Sequence, residues 1–420
     1  MGNEANTPAT ASNHVEANTD QLLADTLDLL AFDTQNPPGE TRAAIDFIDE
    51  TLTALGIETD RLAVDPAKPN LLAQIPGERS ETLLLNGHLD TVPFDRESWE
   101  HDPLGSRDGD RIYGRGAADM KGAVASMLAA ARGYAESEKT PPVDLLFAFV
   151  SDEEVGGEAG LPALLEDGLT ADACVIGETT CEDGRHSLTV ADRGSIWLTL
   201  DAGGTGAHGS RPALGENAID RLYRGVETLR EEFGRRRLDL VDPVEAIIEE
   251  SIEYYGPLMG REQARELFCH PSINLGTIEG GTTVNAVPET ARARLDIRLA
   301  PAVHTPDVID DIRTCVETCE GVTVADLTWS IGTYLDLEQP IVRATHEIAQ
   351  QVTGERVYRR SATGGGDAKT LRNAGVPTVE FALGTDTVHA DDEYTTVDIL
   401  RGNAQVYTQL PRRFTEAVGD

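Results

Sequence analysis

Short apolar runs alternate with stretches of helical periodicity along the first part of the chain. Residues 70–75, 81–85, 143–150 and 173–176 are apolar almost throughout, the pattern of strands. Before them the spacing predicts a helix, a turn at Asn36-Pro37-Pro38-Gly39-Glu40 and a second helix from near Thr41, all within residues 20–58. An Ala-rich helix follows Asp119, and a short one lies near Leu161. Strands alternating with helices predict an α/β domain whose mainly parallel sheet is covered on both faces. In such sheets ligands collect beyond the carboxyl ends of the strands.

The pattern changes near Arg185. Ser195-Ile196-Trp197-Leu198-Thr199-Leu200 alternates as a half-exposed strand does, a helix is expected over 217–233, and strands over 273–278 and 290–299. Strand, helix, strand, strand predicts a small α+β module inserted into the larger domain. Residues 234–270 form a charged, partly helical excursion within it, and helices over 306–319 and 341–352 resume the first pattern. The insertion is therefore expected over 187–300, with the larger domain split into 20–186 and 301–420 and a flexible tail over 1–19.

Composition narrows the choices. A chain of 420 residues with 40% hydrophobic content is long enough for two cores. Seventy-three acidic residues against 35 Lys and Arg give a net charge of -38. Such a field repels nucleic acid and anionic membranes, and it destabilises the compact state unless salt screens it. A high-salt cytoplasm is the expected setting, with neither nucleic acid nor membrane as partner. No run is apolar enough to span a bilayer, and the polar N-terminus lacks the pattern of a signal peptide. Cys174, Cys181, Cys269, Cys315 and Cys319 include no Cys-X-X-Cys pair, so neither a thiolate zinc site nor a disulfide framework is indicated.

Candidate chemistry falls at the ends of the elements. Asn86-Gly87-His88-Leu89-Asp90-Thr91-Val92-Pro93 closes an apolar strand with an imidazole and a carboxylate two positions apart, on one face. That spacing suits a metal ligand and the group orienting it, and equally suits ordinary strand-end polarity. In Gly114-Arg115-Gly116-Ala117-Ala118-Asp119-Met120-Lys121-Gly122, Asp119 reads either as a helix N-cap or as a carboxylate bridging two metal ions. Ser151-Asp152-Glu153-Glu154-Val155-Gly156-Gly157 is a solvated turn or a pair of glutamates with divided roles, one on metal and one taking a proton from water. Glu178 ends another apolar run, and Thr387-Val388-His389-Ala390-Asp391-Asp392-Glu393 carries a second imidazole.

Taken together these segments resemble the di-zinc amidohydrolase and exopeptidase family that contains acetylornithine deacetylase, succinyl-diaminopimelate desuccinylase, aminoacylase and glutamate carboxypeptidase. The resemblance runs from about residue 20 to 415, and Gly-His-Leu-Asp-Thr-Val-Pro and Gly-Arg-Gly-Ala-Ala-Asp-Met-Lys-Gly are specific to that family. It implies a three-layer, zinc-exopeptidase-like catalytic domain with an inserted ferredoxin-like lid and dimerisation domain. By the same resemblance His88 and Glu178 bind one zinc, Glu154 and His389 bind the other, and Asp119 bridges them. Asp90 orients His88, and Glu153 is the general base for attack of a metal-bound water on an amide carbonyl. Three carboxylates and two neutral imidazoles leave two zinc ions roughly one positive unit, room for a hydroxide, and the N/O donor set admits cobalt or manganese. Glu at position 178 looks more like the deacylase branch.

The inserted module carries matching residues. In Ala207-His208-Gly209-Ser210-Arg211-Pro212, the resemblance makes His208 an oxyanion stabiliser acting in the partner subunit's site, which implies a homodimer. Asn285 and Arg298 would hold the substrate, with Arg298 on its α-carboxylate, beside the Gly364-Gly365-Gly366-Asp367 loop. The expected substrate is a small N-acyl amino acid. A metallo-carboxypeptidase or dipeptidase is the alternative within the family, and a non-catalytic metal or amino-acid binder the alternative outside it. Gly203-Gly204-Thr205-Gly206 fits neither nucleotide-binding fingerprint.

Overall fold

A computed structural model describes residues 11–137 and 139–419. The chain forms two compact units, one from Met1–Val190, Leu335–Arg359 and Gly366–Asp420, the other from Ala191–Tyr334 and Arg360–Gly365.

The first unit is α/β. Its large sheet runs, edge to edge, Glu58–Leu62, Asn70–Ile75, Asp144–Val150, Thr82–His88, Ala173–Thr179, Thr378–Ala382, His186–Asp192 and Val357–Ala362. The middle is parallel: Thr82–His88 pairs with both Asp144–Val150 and Ala173–Thr179, and the latter with Thr378–Ala382. The sheet is nonetheless mixed, not mainly parallel. Glu58–Leu62 feeds Asn70–Ile75 with no crossover helix, which only an antiparallel pair allows, and Asn70–Ile75 and His186–Asp192 also pair antiparallel with their inner neighbours. Leu83, Leu84 and Leu85 are fully buried, as a central strand requires.

Helix Lys121–Glu136 is Ala-rich and buried along most of its length, and it packs on Thr82–His88 and against Val397–Gly419. Gly87 permits that approach, since a Cβ there would lie 2.9 Å from both Met120 Cε and Val124 Cγ2. A small sheet of Tyr394–Thr396, Arg111–Tyr113 and Ser106–Asp108, which the sequence pattern did not announce, ties the C-terminal region to the loop before Asp119. The expected tail is shorter than 1–19. Ala11–Ala17 is already helical, and its Ala11 and Val15, one turn apart, are buried and pack it on Lys121–Glu136. Residues 1–10 lie outside the described residues.

The second unit is a four-stranded antiparallel sheet in the order Ser272–Gly280, Thr290–Leu299, Gly194–Gly203, Val322–Ser330. Helices Ala218–Leu229 and Thr305–Glu317 share its core, where Ile196, Leu198, Leu200, Leu222, Ile297 and Ile312 meet. Chain order is β-α-β-β-α-β, the ferredoxin-like arrangement. The unit extends past the expected boundary at 300, because a sheet ending there lacks its fourth strand and second helix. Val322–Ser330 hides its alternation behind a register shift between Val324 and Asp326. The 234–270 excursion contains helices Asp242–Met259 and Arg261–Cys269. Among the described residues no helix is long and apolar enough to cross a membrane, and all five cysteines are free.

Candidate metal centre

The strand ends of the first unit deliver one group each to a common point. His88 closes Thr82–His88, Glu178 lies near the end of Ala173–Thr179, and Glu153 and Glu154 follow Asp144–Val150. Asp119 arrives from the loop before Lys121–Glu136, whose N-cap position is Met120, so Asp119 is not the helix cap. His389 enters on the loop before Tyr394–Thr396.

Asp119 is the hinge of the arrangement. Its Oδ1 lies 3.1 Å from His88 Nε2, and its Oδ2 lies 3.0 Å from His389 Nε2. Glu178 Oε1 is 3.2 Å from His88 Nε2, and Glu154 Oε2 is 3.4 Å from His389 Nε2. Two groups result, His88–Asp119–Glu178 and Asp119–Glu154–His389, each with ligand atoms within 4.8 Å of one another. His88 Nδ1 donates to the Asp90 carbonyl at 2.9 Å, which leaves Nε2 as the ring atom facing the carboxylates.

The electrostatics fit a cation-binding cluster. Burial lowers the pKa of His88, but the adjacent Asp119 and Glu178 carboxylates outweigh it and hold the imidazole well above its usual value. His389 is pushed up to about 10 by Asp119 and Glu154. Burial pushes Asp119 up, and the two histidines reverse that and bring it below the usual carboxylate range. Glu178 is driven well up by burial and by the charge of Asp119. Protonated imidazoles would offset the crowded carboxylates. Divalent ions perform the same compensation, and three carboxylates with two imidazoles and no sulfur form an oxygen and nitrogen donor set that such ions accept.

The Asp90 side chain does something the spacing did not suggest. Its Oδ1 is 3.7 Å from His88 Nδ1, whereas its two oxygens accept the Glu153 and Glu154 backbone N–H groups at 3.1 Å each. Asn36 Nδ2 donates to Asp90 Oδ2 at 2.8 Å and to Asp152 Oδ1 at 3.0 Å, and Lys68 pairs with Asp152. One buried carboxylate thus fixes the turn that carries both glutamates. Glu154 is held further by Val92 N–H on its Oε1 at 3.2 Å, which aims Oε2 at His389.

Glu153 stands beside the cluster, in neither group. Burial pushes its carboxyl up to about 8, with Asp367, Asp119 and Glu154 adding to the shift and His88 opposing it. Gly366 lies against it: a Cβ there would be 2.6 Å from Glu153 Oε1. Gly364 and Gly365 are exposed and belong to the second unit.

Within the second unit, loop 207–210 pairs with 285–287 through Gly209 N–H to the Asn285 carbonyl at 2.6 Å and Val287 N–H to the Ala207 carbonyl at 2.8 Å. This pairs His208 with Ala286, the neighbour of Asn285. Ser210 N–H donates to His208 Nδ1 at 3.2 Å, so the neutral ring carries its proton on Nε2. Thr283 Oγ1 donates to Asn285 Oδ1 at 2.7 Å, which leaves the amide NH2 as the outward donor. Arg298 forms a two-pronged pair with Asp296, Nε to Oδ1 at 2.7 Å and Nη2 to Oδ2 at 3.0 Å. Sequence reasoning gave no part to Asn36, Lys68, Asp152, Arg115 or Glu393. Asp152 and Glu393 stood inside acidic clusters, Arg115 inside a glycine-rich motif and Asn36 at the head of the Pro-rich turn, whereas Lys68 stood in none of these segments.

On an α/β unit, two histidine–carboxylate groups sharing one aspartate make a donor set that could hold two divalent ions, the arrangement a metal-dependent hydrolase needs. The pattern of Peptidase family M20/M25/M40 matches residues 84–413, and the chain belongs to that family. It is 29% identical over 386 residues to a protein named succinyl-diaminopimelate desuccinylase from Paracoccus denitrificans, covering 88% of this chain and 93% of that protein. Among solved structures it resembles an M20 family metallo-carboxypeptidase from Sulfolobus solfataricus, at TM-score 0.77 and 20% identity, over 94% of this chain and 99% of that one. It also resembles Bacillus subtilis YXEP, described as a dinuclear metal-binding peptidase, at TM-score 0.65 and 16% identity, over 94% of this chain and 98% of that one.

Proposed function

We propose that this M20 family hydrolase is a two-metal deacylase that cleaves the amide bond of an N-acyl amino acid. The observation that carries the reading is Asp119, whose two oxygens face two histidines, one at a strand end and one on a loop, with Glu153 held beside them outside both groups. His88, Asp119 and Glu178 would hold one ion, and Asp119, Glu154 and His389 the other. Zinc is the preferred ion, with cobalt or manganese able to replace it on the same donors. When bound, the ions supply Lewis acidity toward water and the amide carbonyl.

The residues of the chain divide the remaining tasks. Glu153 takes a proton from the attacking water at a carboxylate oxygen and returns it to the departing amine nitrogen. Asp90 holds the backbone of that base in place and presents its own carbonyl to His88. His208, with its proton on Nε2, is a donor for the developing oxyanion. Asn285 and Arg298 bind the substrate, Arg298 through a carboxylate, and the Gly364–Gly366 loop borders the acyl group. His208 serves the partner's site in a homodimer built through the second unit, in a high-salt cytoplasm.

The desuccinylase similarity over most of both chains favours a deacylase. A carboxypeptidase is the second reading, favoured by the structural likeness alone. The test is amine release from N-acetyl and N-succinyl amino acids and from dipeptides, in multimolar salt with added zinc or cobalt. Metal-dependent release from one acyl class, lost in Glu153→Ala with both ions retained, is the expected result. Release from dipeptides alone would overturn the deacylase reading in favour of the peptidase.

A further inference from the structure

Glu393 is absent from both ligand groups, yet it has no exposed surface. Its Oε1 accepts three backbone N–H groups, from Gly116 at 3.1 Å, Ala118 at 2.8 Å and Asp119 at 3.0 Å. Its Oε2 accepts Arg115 Nη1 at 2.7 Å. Converging main-chain donors of this kind form a nest for a negative charge, and here the charge comes from the protein itself. The backbone is tied at the same place, with Gly114 N–H donating to the Glu393 carbonyl at 2.9 Å. Arg115 is also buried, and its Nη2 reaches the His389 carbonyl at 3.4 Å.

These contacts join two loops that meet nowhere in sequence. One carries Asp119 and the other carries His389. His389 is half-exposed on a loop where its own φ is +63°, so its neighbours must set where the imidazole points. We propose that Glu393 is a positioning residue for the metal centre, fixing the 116–119 backbone directly and the His389 loop through Arg115, so that Asp119 and His389 converge on one ion. The proposal rests on reading the two groups as metal sites. Partners standing behind metal ligands typically contribute about 10–100-fold in metal affinity, and that is the expected scale.

The test is calorimetric titration of stripped protein with zinc in multimolar salt, for wild type, Glu393→Gln and Arg115→Gln, with hydrogen exchange of the 114–120 segment alongside. In Glu393→Gln the affinity for at least one ion should fall by about 10–100-fold and the 116–119 amides should exchange faster. Arg115→Gln keeps the three N–H contacts and loses the arm to His389, so it should weaken one ion and leave 116–119 protected; this arm decides the matter if Glu393→Gln does not fold. Val226→Ala, a cavity in the core of the second unit, lowers stability without touching either loop and should leave both affinities unchanged. Wild-type affinities in folded Glu393→Gln and Arg115→Gln, or an equal loss in Val226→Ala, would overturn the proposal alone. Wild-type protein that takes up no divalent ion overturns the metal reading and this inference with it.

Discussion

Replacing Asp90 by Asn asks whether that carboxylate works mainly on His88 or on the turn that carries the glutamates. Asp90 is fully buried and accepts from Glu153 N–H, Glu154 N–H and the Asn36 amide. Asn offers one oxygen and one NH2. The less costly orientation keeps oxygen toward Glu154 and Asn36, and turns the NH2 toward Glu153 N–H. One hydrogen bond to a charged acceptor is lost, a buried N–H is left without a partner, and the surviving bonds weaken as the charge disappears. Losses of this kind total about 2–4 kcal/mol. Relief of repulsion with Glu153 and Glu154 offsets part of it, so the net expectation for metal-free protein is about 2–3 kcal/mol of destabilisation. Urea unfolding of stripped wild type and Asp90→Asn at one fixed multimolar salt concentration measures it, as a lower midpoint at unchanged slope. A difference below about 0.5 kcal/mol, the range of an ordinary surface substitution, or a more stable variant, would refute the reasoning.

Three further outcomes are expected. Gly366→Ala places a methyl against Glu153 Oε1, the mobile end of a side chain, so stability and metal content should hold while turnover falls about a hundredfold; unchanged turnover would remove Glu153 from the reaction. Thermal stability should climb steeply between about 0.1 M and 2 M KCl, as the screening length drops from about 10 Å to under 3 Å around a chain of net charge -38, and a flat profile would contradict the high-salt setting. Arg298→Lys, which loses the planar fork, should raise KM about tenfold with kcat nearly unchanged; a fall in kcat at constant KM would place Arg298 in the chemical step instead.

The candidate ligands stood out in sequence because several of them follow an apolar run, and a parallel sheet collects such ends. That rule marked His88, Glu154 and Glu178 as candidates while leaving strand-end polarity or a solvated turn as the alternative, and the reading of all five as ligands came from the resemblance. The supporting contacts were not legible. Asp90 to Glu153 spans 63 positions and Glu393 to Asp119 spans 274, so no local pattern links them. Even the orientation of Asp90 escaped the strand rule, because the strand ends at His88 and the backbone beyond it no longer alternates. The boundary of the second unit slipped for a related reason. Val322–Ser330 pairs with Gly194–Gly203 far back in the chain, and its bulge breaks the alternation that would have marked it as a strand.

Metal stoichiometry tests the central claim most directly. Stripped protein is reloaded with zinc or cobalt, freed of excess and assayed for bound metal, for wild type, His88→Ala and His389→Ala, with folding checked by circular dichroism. The shared Asp119 predicts about two ions per chain in wild type and about one in each variant. A wild-type content near one, or two ions retained in either folded variant, would contradict a centre built from two groups joined at Asp119.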